Sequence, residues 1–263
     1  MASNRYSVTE MSVKNISEIL FERYLGERGL TFQFEKKYPA KSKLVDYTVP
    51  INGRDFLFEV KQFENKDYPF PQTATFTDPH RPIRSKIEQA KDKFQEYEDF
   101  PCCLVMYNNN AFVMAADPHA VLGAMYGEIG IQMPVQGGRV TIATPPPPVT
   151  FVGAKGKMLH RDRQYNTRIS ALITLYEYHI GSLRFGRWYA EMKNRVETGE
   201  LNEEDVPNPD FDVQEKHLAV SVWQNIYADI AFPNHAFRGK YDEHWGLEGD
   251  YVKRTYIGPG RVE

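Results

Sequence analysis

The run from Leu44 to Lys61 sets two segments rich in β-branched and aromatic residues on either side of Asn52-Gly53. That dipeptide strongly selects a two-residue hairpin loop, because both central positions of a type I′ turn need positive φ. A loop at 52–53 fixes the pairing register. Ile51 opposes Arg54, Val49 opposes Phe56, and Asp46 opposes Glu59. Opposed residues share a sheet face with Cβ atoms roughly 5 Å apart, so these two carboxylates repel unless something positive lies between them. Period-two alternation puts Leu57, Glu59 and Lys61 on one face, with Phe56, Phe58 and Val60 on the other. The hairpin therefore gathers Asp46, Glu59 and Lys61 into a candidate divalent-metal site with a lysine beside it. Glu-x-Lys spacing alone is common on the solvated face of antiparallel strands. Here the apolar Leu44 and Leu57 share the charged face, which is not the pattern of a plain solvated side.

A chain of 263 residues can bury a sizeable core as one large domain or two small ones. Apolar content of 41% and charged content of 25% are those of an ordinary water-soluble fold. A net charge of −3 argues against an indiscriminate polyanion binder and leaves room for a local basic groove. Cys102 and Cys103 are adjacent, so they cannot form an ordinary disulfide with each other, and a reduced compartment is expected. The N-terminus lacks a basic-then-apolar leader, and no apolar run approaches the roughly 20 residues that span a bilayer. The expected location is cytoplasmic, with no membrane partner.

Upstream of the hairpin, Val13, Ile16, Leu20 and Tyr24 recur at helical spacing, and Gly29 is a stop signal, which predicts a helix over 11–29. Its apolar half-wheel holds Ile16, Leu20, Phe21, Tyr24 and Leu25. Glu18 falls at the margin of that face and Glu22 a step farther toward solvent. A short strand follows at 31–35, then the hairpin, then a proline-containing loop over 64–82, whose length suggests function or disorder. Residues 83–97 read as a charged amphipathic helix. The apolar run 102–107 reads as a strand buried on both faces, and a further strand is expected at 111–115. Helix, three strands, helix, strand makes an α/β unit with a mixed central sheet flanked by helices. A short helix is expected at 117–127, strands at 169–178 and 216–223, a helix at 187–196, and an exposed acidic loop at 199–212. The prolines 145–148 mark an internal boundary between a core, 1–145, and a C-terminal α+β extension, 146–263. That extension is expected to pack on the core, because the run 169–178 is apolar enough to need burial. Residues 237–242, FRGKYD, suggest no role.

In order along the chain, Ser17-Glu18-Ile19-Leu20-Phe21-Glu22-Arg23-Tyr24-Leu25, then Leu44-Val45-Asp46-Tyr47, then Phe58-Glu59-Val60-Lys61-Gln62 resemble the motifs of the PD-(D/E)XK nuclease superfamily. The resemblance covers about residues 10–107. It implies a restriction-endonuclease-like core, αβββαβ: a helix carrying a glutamate, a three-stranded meander carrying Asp and Glu-x-Lys, then a helix and a strand. Glu18, seven residues before Leu25, matches the helix glutamate of that family. Val45 stands where the family's name has Pro, a departure that bears on turn geometry more than on chemistry.

The resemblance implies a nuclease that hydrolyses phosphodiester bonds with Mg²⁺ or Mn²⁺, with DNA the expected substrate. Asp46 and Glu59 would hold the ion, with the Val60 carbonyl and Glu18 as further ligands, and Lys61 would orient the attacking water or stabilise phosphoryl charge. Glu18, Asp46, Glu59 and Lys61 are the implied catalytic set, and loss of Glu18 is expected to cost far more activity than loss of Glu22. Phosphate contacts need lysine and arginine near the site, and Arg81, Arg84, Lys86 and Lys93 are the candidates. Lys66 and the aromatic residues Tyr68, Phe70 and Phe76 of the loop are available beside them, whereas His80 is expected to have no role. The alternatives left open are a nucleic-acid-binding module that keeps the fold without the activity, and an interaction protein worked by its C-terminal half.

Overall fold

The Asn52-Gly53 loop forms as its sequence predicts. The structure is a computed structural model describing residues 14–64, 78, 80–108, 117–131, 135–136, 139–140, 149–151, 155–160, 163–248 and 251–261. Asn52 has φ 53° and Gly53 φ 74°, the pair of positive angles that a type I′ turn requires. Ahead of the turn come helix α1 (Ile16–Glu27) and a short strand β1 (Gln33–Phe34). The turn joins β2 (Tyr47–Ile51) to β3 (Arg54–Phe63) in antiparallel register, Ile51 opposite Arg54 and Val49 opposite Phe56. The ladder ends at Tyr47 opposite Phe58, so Asp46 and Glu59 stand where the next pair would be.

Helix α2 (Arg81–Phe94) crosses back to β4 (Cys102–Asn108), which lies parallel to β3. Then come α3 (Pro118–Tyr126), β5 (Ile169–Tyr178), α4 (Ile180–Glu197), β6 (His217–Gln224), β7 (Glu243–Glu248) and β8 (Tyr251–Ile257). These strands make one eight-stranded mixed sheet whose spatial order follows the chain. β4 and β5 are parallel, β5 and β6 antiparallel, β6 and β7 parallel, β7 and β8 antiparallel. The sheet does not stop at the expected boundary, since β5 lies beside β4 and the later strands continue outward. The strands β7 and β8 went unread in the sequence, as did the first two turns of α4.

Each face of the sheet carries its own core. On one face Phe56, Phe58 and Val60 pack with Phe21, Tyr24 and Leu25 of α1 and with Phe232 and Phe237 from the β6–β7 connection. On the other, Val45, Leu57, Leu104 and Met106 pack with Ile83, Ile87, Ala90 and Phe94 of α2 and with α3. β4 is inaccessible over Cys102–Met106, as a strand covered on both faces should be. The stripe that α1 buries is narrower than the predicted half-wheel. Ser17, Phe21, Tyr24 and Leu25 face inward, whereas Ile16 is 42% exposed. No helix among the described residues is long and apolar enough to cross a membrane. The predicted strand at 111–115, the prolines 145–148, and Lys66, Tyr68, Phe70 and Phe76 of the long loop lie outside the described residues.

Candidate functional site

Alternation along β3 turns Leu57, Glu59 and Lys61 toward α2 and away from α1, which the two cores make explicit. Glu59 is fully buried. Asp46, just before β2, reaches across the strand edge, and its Oδ2 accepts the Val60 N–H at 2.7 Å. This side-chain bond takes the place of the next rung of the ladder and holds Asp46 beside Glu59. A strand residue points its N–H and C=O to the same edge. The Val60 carbonyl therefore also faces the edge where β2 has ended.

The positive group that the register calls for is Lys93, near the end of α2. Its Nζ lies 3.2 Å from Asp46 Oδ1 and 2.7 Å from Glu59 Oε1. Lys61 Nζ also donates to Glu59 Oε1. One glutamate oxygen thus takes both lysines, while the other, Oε2, is buried without a hydrogen-bond partner. Burial, and then the neighbouring Asp46 charge, raise the Glu59 carboxyl above its ordinary value against the pull of the two lysines. Burial lowers the Lys93 ammonium, but Glu59 and Asp46 together outweigh it and leave its pKa raised.

Glu18 stands apart from this cluster. It occupies the third helical position of α1, and its Oε2 accepts the Asn15 N–H at 2.7 Å while Asn15 Oδ1 accepts the Glu18 N–H. That reciprocal pair is a capping box, on the helix that covers the opposite face of the sheet. Glu22 takes the Tyr47 hydroxyl at 3.1 Å and is ion-paired to Lys14. Burial raises the Tyr47 phenol first, and Glu22, Glu18 and Asp46 raise it further in that order. The helix acids are therefore felt at Tyr47, next to Asp46 in sequence, without reaching the Asp46–Glu59 cluster. Among the described residues, no group of three His, Cys, Asp or Glu side chains is placed to hold a metal ion.

The expected phosphate contacts divide unequally. Arg81 is exposed. Arg84 is turned inward, with Nη1 on both oxygens of Asp78 and Nη2 on the Gly123 carbonyl. Lys86 is buried, its ammonium 5.6 Å from the Phe63 ring centre. Lys93 is committed to the two carboxylates. The spacing of Ile83, Ile87, Ala90 and Phe94 could have signalled this, because Arg84, Lys86 and Lys93 all flank that apolar stripe. His80 also has a structural place: it precedes α2, its Nδ1 meets the Ala120 carbonyl at 3.1 Å, and its ring lies where a side chain at Gly123 would be.

No protein-family model, no curated protein and no solved structure matches this chain.

Proposed function

We propose that the protein is a metal-dependent nuclease with a restriction-endonuclease-like core, hydrolysing phosphodiester bonds in nucleic acid, DNA by preference. The observation that supports this reading is Glu59: a fully buried carboxylate with one oxygen unpartnered, set beside Asp46 and two lysines. Burying such a group is costly unless its hydrogen-bonding capacity is met. The donor set suits Mg²⁺, which is commonly held by one or two carboxylates and keeps several waters. Asp46 and Glu59 would hold the ion, with the Val60 carbonyl facing the same strand edge. The bound ion would polarise the scissile phosphate and lower the pKa of a bound water. Lys61, partly exposed beside Glu59, would stabilise charge developing on the phosphoryl oxygens. Lys93 occupies the position between the carboxylates that a cation takes, and keeps them together at low mutual repulsion.

That position of Lys93 also favours a second reading, a nucleic-acid-binding module in which a lysine has replaced the ion. Labelled linear, circular, single-stranded and RNA substrates, each with Mg²⁺, Mn²⁺ or EDTA, separate the two. The nuclease reading expects metal-dependent cleavage that Lys61→Ala lowers at least about a hundredfold, the size of a lost principal electrostatic group, with Mn²⁺ binding and melting temperature retained. Cleavage by pure Lys61→Ala protein at the parental rate would remove Lys61 from the mechanism. Absence of Mn²⁺ binding to the parent would favour the module.

A further inference from the structure

The first turns of α2 form one wall of a cavity of about 440 Å³, and residues 155–160 form the facing wall. The second wall is placed by main-chain contact. Lys157 N donates to the Ala124 carbonyl and Met158 N to the Met125 carbonyl, at 3.0 and 2.7 Å. Gly156 makes that approach possible, because a Cβ there would fall 2.3 Å from the Leu159 carbonyl oxygen and 2.5 Å from a main-chain carbon of Tyr126. Lys155, Lys157 and His160 thereby come to face Arg81, Arg84 and Ser85 across the cavity.

The charges do not cancel. Of the two lining carboxylates, Asp78 is already held by Arg84, and Glu88 by Lys157 and Lys91. Arg81 and Lys155 are exposed and pair with no carboxylate among the described residues. Arg84 is held 93% buried in the wall, its side chain being 7% exposed, with Nε unpartnered. The lining therefore carries net positive charge, which favours an anion.

We propose that this cavity binds a phosphate group of a polynucleotide backbone. The cavity itself stands on its lining; the polynucleotide as the source of the phosphate rests on the nuclease reading. Arg81 and Lys155 supply the charge, and Ser85 supplies a hydroxyl donor. From Arg81 to Lys93 is about 18 Å along α2 at 1.5 Å per residue, so a strand anchored here would extend several nucleotides to the carboxylates.

The test measures binding in EDTA, so that cleavage plays no part. A labelled duplex is titrated with the parent, with an Arg81→Gln, Lys155→Gln double variant, and with a Lys37→Gln, Lys193→Gln control that removes two exposed charges elsewhere. The cavity variant should bind at least about tenfold more weakly and lose about 2 from the slope of log affinity against log salt, with the control much less affected. Calorimetric titration with inorganic phosphate should show binding to the parent that the cavity variant lacks. Equal losses in both double variants, or none in either, would overturn the proposal. So would loss of phosphate binding with duplex binding intact, which would assign the cavity to free phosphate. A protein that cuts nothing and still behaves as expected in EDTA would remove the nuclease reading and leave the cavity standing.

Discussion

Among the described residues two carboxylates are fully buried, Glu59 and Asp242, and their surroundings are opposite in kind. Asp242 is saturated. Its Oδ2 accepts from the Tyr24 hydroxyl at 2.8 Å, from Arg28 Nε at 3.3 Å and from the Gly239 N–H at 2.5 Å. Its Oδ1 accepts the Val220 N–H at 3.0 Å and Arg28 Nη2 at 3.4 Å. Every donor belongs to a different turn of the architecture: α1, the residue after it, β6 and the approach to β7. Glu59 instead crowds two lysines on one oxygen and leaves the other bare. A carboxylate serving structure has all its lone pairs used. One serving a ligand keeps capacity in reserve, and the fold must then tolerate the cost.

The largest expected effect is on the saturated side. Asp242→Asn removes the charge facing Arg28 and turns an acceptor into a donor against donors, a change of the class that costs about 3–5 kcal/mol. Glu59→Gln, chemically the same step, should cost much less, because it also abolishes an incompletely satisfied buried charge. Urea melts of both variants check this. Equal losses would mean that Glu59 is as structural as Asp242.

Divalent metal sharpens the contrast next. With Mn²⁺ at a hundred times its dissociation constant, the parent should gain about 2.7 kcal/mol in unfolding free energy. Asp46→Asn should gain far less, and Asp242→Asn should gain as much as the parent from its lower start. A metal response retained in Asp46→Asn would place the ion elsewhere.

The pH dependence is a smaller effect with a definite sign. Glu59 has its carboxyl raised by burial and by Asp46, so the folded state holds that proton more tightly than the unfolded chain does. Stability must therefore fall as pH rises through the window that opens near the ordinary glutamate value of 4.5. Below that window both states are protonated and the penalty of burying the charge is absent, so the stability is fully present there and is lost as pH rises through the folded-state value. In metal-free buffer the parent should lose stability relative to Glu59→Gln between acid and neutral pH. A parent that gained on the variant over that range would show that the lysines outweigh burial.

The contrast also marks what the sequence could reveal. The Asp46–Glu59 pair was legible because a hairpin makes it local: once Asn52-Gly53 sets the register, the rest is alternation. The pair's bridging cation was legible only as a requirement, since Lys93 arrives from another element. The Asp242 cluster was invisible, with Arg28 separated from it by 214 residues and nothing in the run 237–242 announcing a staple. Gly239 makes sense only in the fold, where a Cβ would lie 2.2 Å from the Arg28 guanidinium. β7 and β8 escaped notice for a related reason. Glu243, Lys253 and Arg254 break the apolar alternation that identifies strands, and Glu243 is instead satisfied by Ser221 and Arg261.

Glu18 tests the smallest difference, and the one on which spacing and geometry diverge. On the nuclease reading its place seven residues before Leu25 would make it a helix acid of the site, and its loss should then cripple cleavage. The fold gives the same carboxylate a complete local role as the third residue of a capping box on the face away from Glu59. Glutamine also serves at that position, so Glu18→Gln should change stability by no more than about 0.5 kcal/mol, the scale of an ordinary surface substitution. Glu22→Gln loses an ion pair with Lys14 and weakens a bond to Tyr47, each partly exposed, and should cost a similar amount. Rates at saturating Mn²⁺ then decide between cap and ligand. With Glu18 serving only as a cap, both variants cleave within about tenfold of the parent, well short of the hundredfold set by a principal electrostatic group. A fully folded Glu18→Gln protein that cannot cut would mean that this carboxylate leaves Asn15 and joins Asp46 when metal binds.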